Sequence, residues 1–241
     1  MFCKITMTYQ ELKYKIIHKW AKLRLAPIRV FCFHQTSAVF DSSTMKEGDW
    51  TEIEQFKRNI AVLQQEYQFI SLPEVNEKMK QHFRRQKYAC LTSDDGWASL
   101  KEILPWLNEQ HIPITLFLNP GYFDGQHFRE RDTEKYLSLA EVEEICSKYP
   151  LVTIGLHGWE HWDSSKQTIA EFADSVERSV NALKHIPNYI PYFAFTWDRK
   201  SWGNYMVLYA YHIIPVVVRG NYNYNTPGYI DREPFDNIKL D

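Results

Sequence analysis

The sequence predicts an α/β fold of the irregular (β/α) barrel kind, and two observations carry that expectation. Short apolar runs alternate along the chain with stretches whose apolar residues recur at helical spacing, the pattern of parallel strands joined by covering helices. Two clusters of charged and metal-ligating residues each follow directly on such a run. Asp94-Asp95-Gly96 follows Tyr88 to Thr92, and His157-Gly158-Trp159-Glu160-His161 follows Leu151 to Leu156. Ligands in α/β folds gather beyond the carboxyl ends of the strands.

Residues 1–27 stand apart as a basic amphipathic segment, with a single barrel domain over 28–241. Leu12, Ile16, Trp20 and Leu23 recur at helical spacing among Lys4, Lys13, Lys15, Lys19, Lys22 and Arg24. Two placements fit such a helix: packed on the domain's flank with its lysines in water, or lying on an anionic membrane surface. Pro27 ends it, and Val30 to His34 is the first strand. Gln35 to Asp49 is a polar loop. Trp50 to Glu66 carries the stripe Ile53, Phe56, Ile60 and Leu63 of a core-facing helix.

A short strand, Phe69 to Leu72, precedes a helix over Pro73 to Arg85. Arg84, Arg85 and Lys87 read as a solvated face. The central strand and the Asp-Asp-Gly turn lead to a helix over Trp97 to Glu109, then a strand over Ile112 to Leu118. The loop after it, Asn119 to Gly125, has turn chemistry and aromatic residues. Ser138-Leu-Ala-Glu141 reads as a capping box opening a helix through Cys146. A further helix runs from about Ser164 to Lys184, with Ile169, Phe172, Val176, Val180 and Leu183 facing inward. A strand over Tyr189 to Phe195, a helix over Tyr205 to Tyr211 and a buried strand over Ile213 to Val218 follow. Asn221 to Gly228 is a loop.

A chain of 241 residues suits one α/β domain with a sizeable core. The net charge of −2 gives no reason to expect nucleic acid as a partner. Aromatic residues make up 15% of the chain, more than an ordinary core needs, and they suit stacking on the apolar faces of sugars as well as packing. Cys3, Cys32, Cys90 and Cys146 are scattered, and Cys32 and Cys90 lie in strand-like runs as buried thiols. That favours a reducing compartment. With no long apolar stretch and no conventional secretory signal, the expectation is a cytoplasmic protein, with peripheral contact at the inner membrane surface if residues 1–27 lie on lipid.

Imidazoles and a carboxylate are a common ligand set for a divalent ion. Asp94 and Asp95 alternate faces at a strand end, so one can hold a metal while the other handles a proton. The two histidines, four apart, share one face of a helix or helical turn. Asp163, close behind them, suits either a metal-bound histidine or a helix N-terminus.

These motifs resemble those of the polysaccharide deacetylase family, the NodB-homology or carbohydrate esterase family 4 group. Thr92-Ser93-Asp94-Asp95-Gly96 is similar to its first motif, Thr-Phe-Asp-Asp-Gly. His157-Gly158-Trp159-Glu160-His161 is similar to its second, His-Ser/Thr-x-x-His, with glycine at the Ser/Thr position. Ile28 to His34 resembles the Tyr-His stretch that opens many members. The likeness covers about residues 28–220. It implies a distorted (β/α)7 barrel that removes an N-acetyl group from a sugar or glycan-linked substrate. It also implies Asp94 as catalytic base and Asp95, His157 and His161 as ligands of one divalent ion, zinc before cobalt or nickel.

Two family features are altered. In the third motif, Ala194 stands where many members have arginine and Asp198 where they have glycine, and Asp198 and Arg199 either replace that arginine or pair with each other on the surface. The late Leu-x-His motif, which supplies an acid histidine, is not visible, which leaves His34 or His212 for that role. Trp97, Tyr122, Trp159, Phe195, Trp197 and Arg199 are the candidate substrate contacts. A cytoplasmic enzyme would suit lipid-linked or nucleotide-linked sugars better than finished wall polymer. The altered motifs also fit a non-catalytic carbohydrate-binding relative that keeps the metal site, and the same barrel could serve a metal hydrolase of another ester or amide.

Overall fold

In the computed structural model, which describes residues 25–39, 50–123, 136–224 and 228–235, seven parallel strands close into a barrel. β1 (Ile28–Phe33) pairs along its whole length with β5 (Tyr88–Ser93). Around the ring follow β6 (Ile114–Leu118), β7 (Val152–Leu156), β8 (Tyr189–Ala194), β9 (Ile214–Val218) and β10 (Ile230–Pro234), which returns to β1. The two-residue β4 (Gln68–Phe69) pairs with the start of β5. A separate parallel pair, β2 (Gln35–Ser37) and β3 (Trp50–Glu52), stands beyond the end of β1.

Strands buried on both faces need apolar side chains on both, which is why Ile28–Phe33, Ile114–Leu118 and Ile214–Val218 read as nearly continuous apolar runs. One set of side chains, Ile28, Val30, Cys90, Phe117, Tyr192, Ala194, Val216 and Ile230, packs together inside the ring. The alternate set, including Phe31, Leu91, Leu116, Ile154 and Phe193, meets the helices outside. Those helices are α1 (Ile53–Gln64), α2 (Leu72–Met79), α3 (Leu104–Glu109), α4 (Leu139–Lys148), α5 (Ile169–Leu183) and α6 (Trp202–Ala210). Capping boxes open α2, α4, α5 and α6, the one at Ser138 and Glu141 among them.

The interior is tight at Gly155 of β7. A Cβ there would lie 2.5 Å from Phe117 Cε1 and 3.2 Å from the Tyr192 carbonyl oxygen. Overpacking of this kind costs about 1–3 kcal/mol. Gly155→Ala is therefore expected to lower stability by about that amount in urea unfolding, with the slope against denaturant unchanged.

Several local expectations change. The stretch over Trp97 to Glu109 is a 3-10 turn (Ala98–Glu102) followed by α3, because Pro105 starts a new helix. The helix expected over Pro73 to Arg85 ends at Met79. Arg84 is not on a solvated face. It is 5% exposed, and its guanidinium donates to the carbonyls of Ala26 at 2.8 Å and Lys78 at 2.7 Å and to that of Tyr224, tying three segments together. Ile169, expected to face inward, is exposed at the start of α5.

The strand β10 lay in a stretch with no strand-like pattern. Its inner face carries Arg232, and Glu233 on the other face takes two 2.8 Å hydrogen bonds from Arg29 of β1. Ion pairs join β10 to β1 and to Asp94 at the end of β5. Cys32, Cys90 and Cys146 are buried and in no disulfide. The amphipathic segment expected over 1–27 lies outside the described residues up to position 24. No helix among the described residues is long and apolar enough to cross a membrane.

Candidate active site

The site forms where β1, β5, β7, β8 and β10 end. Asp94 follows β5 with its N–H on the Phe33 carbonyl. Arg232 grips it with two prongs, Nη1 to Oδ1 at 2.6 Å and Nη2 to Oδ2 at 2.9 Å, and Nη1 also donates to Thr92 Oγ1 at 3.0 Å. The Phe117 ring lies 5.3 Å from the guanidinium carbon. Two-pronged pairing of this kind fixes orientation as well as charge. Burial pushes the Asp94 carboxyl up, but the Arg232 guanidinium, then His157, outweigh it and hold the group below its ordinary range.

Asp95 faces elsewhere because the chain turns sharply. Asp95 and Gly96 have φ of 73° and 77°, left-handed geometry that Asp tolerates and Gly accepts freely. The turn and the site are thus the same feature. Trp97 Nε1 donates to Asp95 Oδ2 at 3.2 Å. Asp95 Oδ1 sits 3.3 Å from His157 Nε2 and 3.2 Å from His161 Nε2.

His157 Nδ1 is 2.8 Å from the Ala194 carbonyl oxygen, which only accepts. Nδ1 therefore carries the proton, and in the neutral ring Nε2 turns a lone pair toward Asp95 Oδ1. That buried oxygen has no well-directed hydrogen-bond donor. Burial lowers the His157 imidazole, but Asp94 and then Asp95 outweigh it and raise it, so two acceptors facing each other here take either a proton or a metal ion between them. Zinc bonds of about 2.0–2.1 Å in a tetrahedron put neighbouring ligand atoms roughly 3.3 Å apart. The two Asp–His separations match that edge, and all three ligand atoms lie within 4.8 Å of one another. Asp95, His157 and His161 fit a divalent ion in number, chemistry and spacing.

The histidines stand on a loop, not on a helical turn: Gly158, with φ of 88°, bends the chain after β7. The loop is braced from behind. Asn119 Nδ2 donates to the carbonyl of His157 at 2.7 Å, and the His161 N–H donates to Tyr122 Oη at 3.0 Å. Tyr122 packs on Tyr136, which stacks on Trp97 at 4.5 Å between centroids.

The remaining candidates divide. Trp97, Tyr122 and Phe195 are buried, so they form the wall behind the site and offer no open ring face. Trp159 is half-buried under Arg178, whose guanidinium carbon is 4.1 Å from the ring centroid. Trp197 is exposed, its ring perpendicular to that of His161 with centroids 4.4 Å apart. Arg199 does not reach Asp94; its Nη1 donates to Asp163 at 2.8 Å. Asp163 in turn caps the turn at Ser165. The cation that meets Asp94 is Arg232, which the sequence reading missed. Its one signal is the alternation of Ile230 and Arg232 across a polar residue.

His34, just past β1, acts electrostatically on both Asp94 and Asp95. His212 stands before β9, at the opposite end of the barrel, as do His82, His111 and His185 before β5, β6 and β8. Among the described histidines, only His34, His157 and His161 are at the site's end.

A family model described as polysaccharide deacetylase matches residues 82–210, more than half of the chain. No curated protein gives a significant match. Among solved structures, IcaB from Ammonifex degensii is similar at 19% identity and a TM-score of 0.73, covering 88% of this chain and 92% of that one. A de-N-acetylase from Aggregatibacter actinomycetemcomitans is similar at 13% identity and 0.71, covering 86% and 94%. The Streptococcus pyogenes deacetylase PplD, solved with acetate, is similar at 16% identity and 0.70, covering 87% and 92%. At these identities the likeness is one of fold, while the family match takes in both the Asp-Asp-Gly turn and the histidine loop. The chain belongs to the polysaccharide deacetylase family.

Proposed function

We propose that the protein is a metal-dependent hydrolase that removes an N-acetyl group from a sugar or glycan-linked substrate. The observation that carries this is the buried cluster of Asp95, His157 and His161 immediately beside Asp94, a carboxylate held ionised by Arg232. A divalent ion on the cluster supplies the charge that polarises the amide carbonyl and acidifies water.

The chain's own groups do the rest. Asp94 takes the proton from the attacking water as general base. Arg232 keeps Asp94 ionised and aimed through one hydrogen bond to each carboxylate oxygen, which leaves each oxygen a second lone pair to take the proton. The water oxygen bonds to the carbonyl carbon, the C–N bond breaks, and the leaving amine needs a proton. His34 supplies it, as the one described histidine at this end that is outside the ligand cluster. The products are acetate and the free amine.

The test is acetate release from N-acetylated glucosamine oligomers by zinc-loaded protein. His34→Asn should lower kcat by about 10²- to 10⁴-fold with KM little changed. Metal content should stay at the wild-type level in that variant. Equal loss of bound metal would assign His34 to the metal cluster instead. Absence of acetate release from every acetylated sugar, with metal bound, would remove the deacetylase reading.

A further inference from the structure

The end of the barrel away from the cluster carries a basic face with an exposed ring in it. Between α2 and β5 the chain holds Lys78, Lys80, Arg84, Arg85 and Lys87, and residues 78–87 include no acid. Arg84 points inward, onto the carbonyls of Ala26, Lys78 and Tyr224. In an extended, bridged stretch the neighbouring side chains take the opposite side. Phe83 and Arg85 accordingly face water, Phe83 at 59% exposure, and the Arg85 guanidinium carbon lies 5.3 Å from the Phe83 ring centroid. The buried arginine is thus the anchor that holds a cation and a ring outward together. Lys80 and Lys87 pair with Glu77 and Glu66, so Lys78 and Arg85 carry more of the net charge.

The described chain begins on the same face. Leu25 bridges to Arg84, and the Ala26 N–H donates to the Arg84 carbonyl at 2.6 Å. Residues 1–24 therefore join the barrel beside Phe83 and Arg85. Their sequence carries Lys4, Lys13, Lys15, Lys19, Lys22 and Arg24 against Glu11 alone, with Leu12, Ile16, Trp20 and Leu23 at helical spacing. Two stretches far apart in sequence thus bring the same mixture, cations beside apolar groups, to one place.

We propose that this face seats the protein on an anionic phospholipid surface, with Phe83 entering between headgroups and Lys78, Arg85 and the lysines of residues 1–24 meeting phosphates. The mixture selects the partner. A lipid surface offers phosphates outside and an apolar layer beneath, so it takes up both kinds of group. A nucleic-acid duplex would use the cations and leave Phe83 in water. The proposal goes beyond the deacetylase reading and does not depend on it. The strand β5 runs from this face to Asp94, roughly 20 Å away. The metal cluster therefore opens away from the lipid, and docking leaves it accessible.

The test is flotation of the full chain with vesicles of phosphatidylglycerol and phosphatidylcholine, beside phosphatidylcholine alone. Wild type should float with the anionic vesicles, stay behind with the neutral ones, and be released by high salt. Arg85→Glu and Phe83→Ser should each lower the partition constant roughly 5- to 30-fold. Both side chains are exposed and lie far from the cluster, so urea midpoints and zinc content should match wild type. Lys13→Glu combined with Lys19→Glu should lower the partition as well. Wild type that fails to float with anionic vesicles would overturn the proposal. So would flotation untouched by Arg85→Glu and Phe83→Ser, which would leave lipid binding to residues 1–24 alone. Binding to a DNA duplex that Arg85→Glu weakens and Phe83→Ser does not, without vesicle binding, would make the face a nucleic-acid surface instead.

Discussion

Arg232→Met is expected to destabilise the protein by about 3–5 kcal/mol and to cut acetate release at least 100-fold. The stability figure is the usual cost of removing one partner from a buried ion pair, because the carboxylate left behind has neither water nor a counter-charge. Asp94 and Arg232 are both buried, and Arg232 meets both carboxylate oxygens. The loss of activity follows because the carboxyl, freed from the guanidinium, rises toward protonation and loses its aim.

The pH dependence has a definite sign. Asp94 has its carboxyl lowered in the folded protein, so the pair contributes stability that is present above the unfolded value of about 3.9 and lost as pH falls through the folded one. The stability gap between wild type and Arg232→Met should therefore narrow in acid. Asp94→Asn combined with Arg232→Met should recover part of the stability and none of the activity. Urea unfolding of the three proteins across pH checks both statements. Equal gaps at pH 7 and pH 3 would show that Arg232 acts by packing on Phe117, not by charge.

Asp95→Asn is expected to abolish activity, by 10³-fold or more, and to spare the metal-free fold. Its Oδ1 accepts no well-directed hydrogen bond, so little structural contact is lost. What disappears is the stabilisation that metal brings. A ligand at 100 times its dissociation constant stabilises by about 2.7 kcal/mol. Wild-type protein should show a thermal shift of that origin on adding zinc, and Asp95→Asn should show almost none. A shift of equal size in both would place the zinc elsewhere.

Much of this was legible in the residues. The Asp-Asp-Gly turn and the histidine pair announced themselves because each ended an apolar run, and a parallel barrel gathers such ends on one face. The interior strands were readable because they are apolar on both faces. β10 was not, because its work is done by charge. Arg232, Glu233 and Asp231 look like a polar tail in sequence, and only ring closure brings Arg232 onto Asp94, 138 residues away. Arg84 misled for the same reason: a buried arginine serving carbonyl groups looks identical in sequence to a solvated one.

The aromatic candidates show a further limit. Composition indicated an excess of rings but could not sort them. Trp97 and Tyr122 brace the histidine loop and its aspartate through Asp95 and His161, while Trp197 is turned outward by a backbone conformation no propensity would suggest for tryptophan.

The measurement that tests the central claim most directly is metal content by mass spectrometry on untagged protein, beside Asp95→Ala and His157→Ala. The account predicts close to one divalent ion per chain in the wild type and its loss in both variants. Wild-type protein that holds no ion, even after incubation with zinc, cobalt or nickel, would contradict it.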